Sequence, residues 1–583
     1  MTPARRGRRV LALLPALALT LAVALPVIGA APDGVGKGNP AGPLLDIQLL
    51  AFNDYHGHLE PTTPGTVGTT TAGGSEYLAS HLAGLRAGQR NSLTVAAGDL
   101  IGGTPFLSGL FHDEPSVDSL NAMGLDVSSV GNHEFDEGVT ELLRMQNGGC
   151  HPDDGCYFPD EPYMGADFPW LAANVVSEAT GETVLPPYWI KKFQGAEIAF
   201  IGMTLEGTPA LVAQSGIDGW DFQDEADTAN ALVPVLRRQG VEAIVVLLHE
   251  GLETSGTYDD CVGISGPVAD IQSRLDPEID VMITGHTHQA YNCVMTDPAG
   301  EPRRVTSALS FGRIISEINL KYDRRTNDIR RDLVTATNHV VDQTVTPDPA
   351  QTAILDKYRP VADLIGNRPV GLITADITRA KTGTGSEDRG SESNAGNMIA
   401  DAQLWATATN NGAELALMNP GGVRADFLYA SSAKGEGDGV VTYAEAFNMQ
   451  PFGNLLSTIP MTGQQIIDVL EEQCQPPGGR PFLHLGISNG LTYDLSKTIT
   501  AGVCTSITVS NVELNGVALD PALPYMVTVN NFLADGGDNF VTFKQIPKTD
   551  RIGGGEDLQA MIDYLGSEGP ISPPGTDRVN ELP

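Results

Sequence analysis

Beyond residue 28 the sequence has no second apolar run long enough to cross a membrane, which argues against a polytopic membrane protein. Its closing residues, Asp577 to Pro583, show neither a hydrophobic tail nor a lipid-attachment signal, so no stable membrane anchor is expected. Cations are scarce. The 35 Lys and Arg face 72 Asp and Glu, a formal charge of −37 that opposes binding of a nucleic-acid polymer. Cysteine is scarce as well, six residues with no CxxC spacing, which speaks against a structural zinc cluster. No internal repeat occurs, and the 66 Gly and 39 Pro fit loops between compact elements rather than a fibre.

The chain opens with Arg5, Arg6, Arg8 and Arg9, an apolar run from Val10 to Ile28, and the small residues Gly29, Ala30 and Ala31. That is the layout of a secretory signal peptide over residues 1–31, and Pro15 and Pro26 set it apart from a spanning helix. Cleavage removes four arginines and no acid, so the mature charge is −41. An exported chain, extracellular, periplasmic or attached to the cell surface, is expected to oxidise its cysteines. The sequence-local pairs are Cys150 with Cys156, Cys261 with Cys293 and Cys474 with Cys504, one of the 15 connectivities that six cysteines allow. A monomer or weak dimer is expected.

At this length two large domains are expected. Residues 44–340 alternate β-branched runs with helical patterns, the mark of an α/β layered domain. Strands are predicted at 46–52, 93–97, 127–130, 198–203, 243–248 and 281–284; helices at 75–88 with Ser75 as N-cap, 116–123, 226–238 and 267–275. Residues 341–366 read as a linker with a short helix over 350–358, residues 367–566 as a second α/β domain, and residues 567–583 as a flexible Pro/Gly-rich tail.

The polar residues that follow the strands carry the chemistry. Strand by strand, the exits hold Asn53-Asp54-Tyr55-His56, Gly98-Asp99, Gly131-Asn132-His133-Glu134, His249-Glu250-Gly251 and Gly285-His286-Thr287-His288. Ligands in α/β sheets bind beyond the carboxyl ends of the strands, so these exits should converge. Singly each is an ordinary turn or cap; five in one ordered set are not. The mixture of carboxylate, amide and imidazole suits Mn, Zn, Fe or Co better than Ca alone.

These blocks resemble the signatures of the calcineurin-like metallophosphoesterase superfamily, and the chain after its leader is similar to secreted 5'-nucleotidases and UDP-sugar hydrolases. The resemblance implies a four-layer α/β/β/α catalytic sandwich and a C-terminal α/β nucleotide-binding domain. It further implies two divalent ions, one on Asp54, His56, Asp99 and His288, the other on Asp99, Asn132, His249 and His286. His288 stands where close relatives carry an amide, so the metals are left open among Mn, Zn, Co, Fe and Ca. The resemblance also implies that His133 stabilises the transition state or protonates the leaving oxygen, oriented by Asp136; the alternative for Asp136 is a cap on the helix starting near Gly138.

In the second domain the blocks 389–397, 419–424, 451–454 and 531–540 resemble the 5'-nucleotidase substrate-binding domain. By that match Arg389 and Arg424 bind phosphate or ribose, Asn419 base or sugar, Phe452 and Phe532 sandwich the base, and Asp538 accepts from the ribose hydroxyls. Two aromatic faces tolerate any base, and guanidinium forks fit phosphate. A substrate bridging the two domains implies domain rotation, with the hinge expected near residues 350–358. The expected reaction is hydrolysis of nucleoside 5'-monophosphates; cleavage of UDP-sugars or 2',3'-cyclic nucleotides, and a non-catalytic nucleotide-binding surface protein, are the alternatives. The acidic segment 147–169, with Cys150, Asp153, Asp154, Cys156 and Asp160, has no place in the match: it either shapes the entrance or is a solvated loop.

Overall fold

The computed structural model describes residues 43–62, 65–152, 154–213, 216–383, 385–431, 435–477 and 479–582. The signal-peptide reading, and Asp153, lie outside the described residues. No helix among the described residues is long and apolar enough to cross a membrane.

Strands buried on both faces read as unbroken apolar runs, and Ala243–His249, buried at all seven positions, is the clearest case. Leu44–Phe52 pairs in parallel with Ser92–Ala97, which pairs in parallel with Val127–Ser129. In a second sheet Ala196–Thr204, Ala243–His249 and Val281–Thr284 also run parallel. An apolar layer with Leu49, Val95, Phe200, Val245 and Ile283 fills the space between the two sheets. Helices Ser75–Arg86, Glu114–Met123 and Gly138–Asn147 cover the outer face of the first sheet. Helices Glu225–Arg238 and Pro267–Arg274 cover the second. The result is the four-layer α/β/β/α sandwich.

Each sheet is completed by strands that the sequence patterning does not single out. Ile314–Asp323 runs against Leu44–Phe52, and the hairpin Ala290–Thr296 with Pro302–Ala308 closes the second sheet. Arg303 explains one omission. It is fully buried, donating to the carbonyls of Ile279, Gln272 and Asp276 at 2.7 to 2.8 Å.

The second α/β region is built on a five-stranded sheet in the order Gly486–Ile487, Leu415–Met418, Pro524–Asn530, Leu455–Thr462, Ile552–Glu556. Helices Asn394–Asn411 and Asp557–Glu568 pack through Met398, Ile399, Met418, Met561 and Leu565. A second cluster joins the helix Gly463–Glu471 to the hairpin Leu491–Thr500 and Val503–Leu514. All three disulfides pair as the sequence-local reading has them.

Several expectations are corrected. Ser75 is not a cap: the helix begins at Ser75, after Gly74, and the Ser75 hydroxyl donates instead to the Leu59 carbonyl at 3.0 Å. The helix predicted over 350–358 extends over Pro349–Gly366, through Pro360, capped by the Asp348 carboxylate. Its face of Leu355, Tyr358 and Ala362 is buried in the cluster that backs the first sheet, and the Tyr358 hydroxyl donates to Asp118 at 2.8 Å. The helix is therefore docked on the catalytic half through this face, and the Arg368 carbonyl that follows it accepts from the Tyr443 N–H at 2.8 Å. The segment after residue 567 is not frayed. Ile571 and Val579 are buried, Val579–Glu581 pairs in parallel with Leu491–Thr500, and Arg578 forms a two-pronged ion pair with Asp401.

Deleting residues 570–583 is expected to cost about 3 kcal/mol or more, from losing the burial that Ile571 and Val579 contribute and breaking the Arg578 pair. Denaturant unfolding of the shortened chain checks this.

Candidate metal centre and substrate cavity

Five strand exits meet beyond the carboxyl ends of the two sheets. Five of the seven residues read as ligands, Asp54, His56, Asp99, His286 and His288, have left-handed backbone conformations, with φ between 45° and 67°. Non-glycine residues rarely occupy this region, at a cost of roughly 1 to 2 kcal/mol each. The strain turns each side chain off its strand toward a common point. Glycine makes the approach possible: at Gly98 (φ 77°) a Cβ would lie 2.6 Å from the Gly131 nitrogen and 2.7 Å from the His249 ring, and at Gly131 it would collide with the Asp99 carboxylate. Glu134 ties the loops together, its buried carboxylate accepting from the backbone N–H groups of Asp99 at 2.9 Å, Leu100 at 2.7 Å and Gly131.

The donor atoms fall into two groups. Asp54, His56 and His288 form one and Asp99, His249 and His286 the other. In the first, His288 Nε2 lies 3.3 Å from Asp54 Oδ1 and 3.2 Å from His56 Nε2. In the second, His249 Nε2 lies 2.9 Å from Asp99 Oδ2, and Asn132 Oδ1 lies 3.0 Å from His286 Nδ1. Asp99 links them, since His56 Nε2 is 3.5 Å from the same Oδ2.

Backbone carbonyls set the tautomers. His249 Nδ1 donates to the Ala97 carbonyl at 2.7 Å and His56 Nδ1 to that of Gly102 at 2.8 Å, which turns both Nε2 atoms inward. His249 Nε2 is fully buried with no hydrogen-bond partner. An orphaned imidazole nitrogen aimed at a buried carboxylate, beside two imidazole nitrogens in contact, is a donor set that fits divalent cations. Burial holds His56 and His288 well below the usual imidazole range and His286 down at about 3, which keeps the three rings neutral. Burial alone would raise Asp99, but His249, His133 and His56 hold it well below the usual carboxylate range.

His133 adjoins this centre. Its backbone N–H donates to Asp99 Oδ1 at 2.9 Å and its Nδ1 lies 2.8 Å from Asp136 Oδ2. Against burial, Asp136 and Asp99 raise the imidazole above its ordinary value. Asp136 is no helix cap, for Gly138–Asn147 starts after Glu137 without a side-chain cap.

A cavity of about 1000 Å³ opens over the centre and is lined from both halves of the chain, by Asp99, Asn132, His133, His286 and His288 on one side and Arg389, Asn419, Arg424, Phe452, Phe532 and Asp538 on the other. Asp54, His56 and His249 lie beneath its floor, fully buried. The Phe452 ring stacks 5.9 Å from that of His133, and Arg424 lies over Phe452 at 5.6 Å. Asn419 donates to Asp538 Oδ2 at 2.9 Å and Arg389 to Glu387 at 2.6 Å. Gly537 underlies the Phe532 ring, where any Cβ would collide. Sequence reasoning assigned no role to Glu134 or to Arg480, which also lines the cavity. Glu134 stood inside a quoted block, and Arg480 follows a Pro/Gly run next to Cys474, the only hints available.

The Cys150–Cys156 loop packs on His112, which lines the cavity with Glu137. His112 Nδ1 is 2.7 Å from Glu137 and its Nε2 2.9 Å from Asp154, while His151 stacks on it at 3.7 Å. The segment is thereby tied to His112 and Glu137, while Asp154, Pro159, Asp160 and Glu161 stay exposed, as the solvated-loop reading has it. Burial opposes a charge on His112, but Glu137 and Asp154 outweigh it and lift the imidazole to about 9. Because this lies above the ordinary value of 6.5, the stabilisation is complete below pH 6.5 and is lost as pH rises through about 9. Urea unfolding from pH 6.5 to 9.5 is expected to lose stability more steeply in the wild type than in His112→Gln.

Residues 47–290 match the calcineurin-like phosphoesterase family and residues 369–545 the 5'-nucleotidase C-terminal domain. The chain is 34% identical over 529 residues to an endonuclease of Bacillus subtilis, covering 89% of this chain and 40% of that protein. It is 31% identical over 569 residues to a cell wall protein of Listeria monocytogenes, covering 94% and 69%. A 5'-nucleotidase of Vibrio cholerae is 27% identical over 568 residues, covering 90% and 91%. The class defined by fold and centre is that of the metal-dependent phosphoesterases. Within it, the chain belongs to the 5'-nucleotidase family, in which a calcineurin-like phosphoesterase domain is joined to a 5'-nucleotidase C-terminal domain.

Proposed function

We propose that this chain is an exported phosphohydrolase that cleaves nucleoside 5'-monophosphates to nucleoside and phosphate. The observation that carries the reading is the paired donor groups, joined through Asp99, on the floor of a cavity whose other wall holds two phenylalanines and Arg424. Asp54, His56, Asp99 and His288 would hold one divalent ion and Asp99, Asn132, His249 and His286 the other. Such a pair supplies a water ionised near neutral pH and neutralises charge on the phosphoryl oxygens.

The chain's own residues supply the rest. Asp136 accepts from His133 Nδ1–H and favours the imidazolium, whose Nε2–H then donates to the phosphoryl group or gives its proton to the leaving oxygen. Arg424 binds phosphate from the same side, Phe452 and Phe532 hold the base, and Asn419, Asp538 and Arg389 hold the sugar. The charge of −37 weighs against the polymer substrate that the name of the Bacillus relative implies for that protein.

AMP, UDP-glucose and 2',3'-cyclic AMP, each assayed with Mn, Co, Zn or Ca, test the reading. AMP is expected to show the highest kcat/KM, and a preference for UDP-glucose or the cyclic nucleotide overturns it. His133→Ala is expected to lower kcat for AMP at least about 10²-fold. Phe452→Ala is expected to raise KM for AMP roughly tenfold, as loss of a base stack implies, with little effect on 4-nitrophenyl phosphate.

A further inference from the structure

One corner of the cavity is strained. The backbone is left-handed at Gly536 (φ 85°), Asp538 (φ 52°) and Asn539 (φ 60°). Residues other than glycine rarely adopt this conformation, and such strain clusters at sites where a ligand is held. The turn gathers three groups: the Phe532 ring lies across Gly537, the Asp538 carboxylate accepts from Asn419, and Asn539 lines the cavity beside them. The ring and the carboxylate are used by the nucleotide reading above. Asn539 is not.

Neighbouring groups fix which end of the Asn539 amide is free. The Glu472 carbonyl can only accept, and Gln475 Nε2 donates to it at 2.9 Å. Gln475 Oε1 is therefore the acceptor for Asn539 Nδ2, at 3.1 Å. The Asn539 Oδ1 is left as an acceptor that no hydrogen bond among the described residues engages, on an exposed side chain that lines the cavity.

The support behind it is firm. Gln475 is buried, and its backbone N–H donates to the Pro481 carbonyl at 3.0 Å. The Cys474–Cys504 disulfide anchors the adjoining residue. The Glu472 carboxylate in turn accepts from the Thr542 N–H at 3.0 Å and the Thr542 hydroxyl at 2.8 Å, which clamps the segment just beyond Asn539. An amide held in this way loses little freedom when a ligand docks on it.

Asn539 follows Asp538 directly, so its acceptor stands beside the ribose hydroxyls that Asp538 would hold. The base edge on that side is the one that adjoins the sugar. It shows acceptors on adenine and on the pyrimidine carbonyl, and a donor on guanine, the 2-amino group.

We propose that Asn539 is a specificity-determining residue that accepts from the 2-amino group of guanine, so that the site favours GMP over IMP, which lacks that group alone. The inference rests on the nucleotide reading above. The two phenylalanine faces admit any base, and Asn539 adds a preference at its edge.

Rates of phosphate release from GMP and from IMP, measured on the metal-loaded full chain, test this. The wild type is expected to show a kcat/KM for GMP about five- to tenfold above that for IMP, carried in KM, the effect typical of one neutral hydrogen bond. Asn539→Gly, which the left-handed backbone accommodates, is expected to bring the two values together. Equal kcat/KM for the two nucleotides in the wild type, or a ratio that Asn539→Gly leaves unchanged, overturns the role of Asn539 and leaves the nucleotide reading standing. Failure of the wild type to cleave either nucleotide overturns the nucleotide reading and this inference with it.

Discussion

The Asp99 carboxylate is buried where two sheets end, within 3.5 Å of imidazole nitrogens from two other loops, and the neighbouring structure is arranged to keep it there. An isolated buried carboxylate is costly, and several imidazoles must offset it. Those imidazoles arrive on loops with left-handed backbones at His56, His286 and His288, and glycines at 98 and 131 let the loops touch. The four-layer sandwich supplies the rigidity: strands such as Ala243–His249, buried along their whole length, resist the strain that the loops impose.

The same arrangement explains how an acidic protein can handle phosphate. The general field repels anions, and the cavity sets Arg389, Arg424 and Arg480 opposite donor groups that fit divalent cations. Because the cations above come from the C-terminal half and the donor groups below from the N-terminal half, neither half alone presents the complete cavity. The stacking of Phe452 on His133 shows how close the two walls come.

Much of this was legible in the sequence because parallel buried strands announce themselves as apolar runs and their exits can be read in order. The stretches predicted at 243–248 and 281–284 differ from the observed strands by at most one residue. The sheets' outer strands escaped notice because their polar residues look like surface: Arg303 sits in one and is wholly buried on three carbonyls. The final strand, Val579–Glu581, escaped because its partner lies far back at Leu491–Thr500, and three residues carry no periodicity. Glu134 and Arg480 were opaque for a related reason. What each does depends on backbone groups or charges brought up from other loops, which no local pattern records.

The central claim is that the strand-exit loops hold two divalent ions through a shared Asp99. Metal content per chain, measured on protein reloaded after chelation, together with anomalous diffraction from the loaded crystal, tests it most directly. The account predicts two ions per chain, one beside Asp54, His56 and His288 and the other beside Asn132, His249 and His286, with Asp99 touching both. A single ion, or two ions that leave Asp99 unligated, would contradict it.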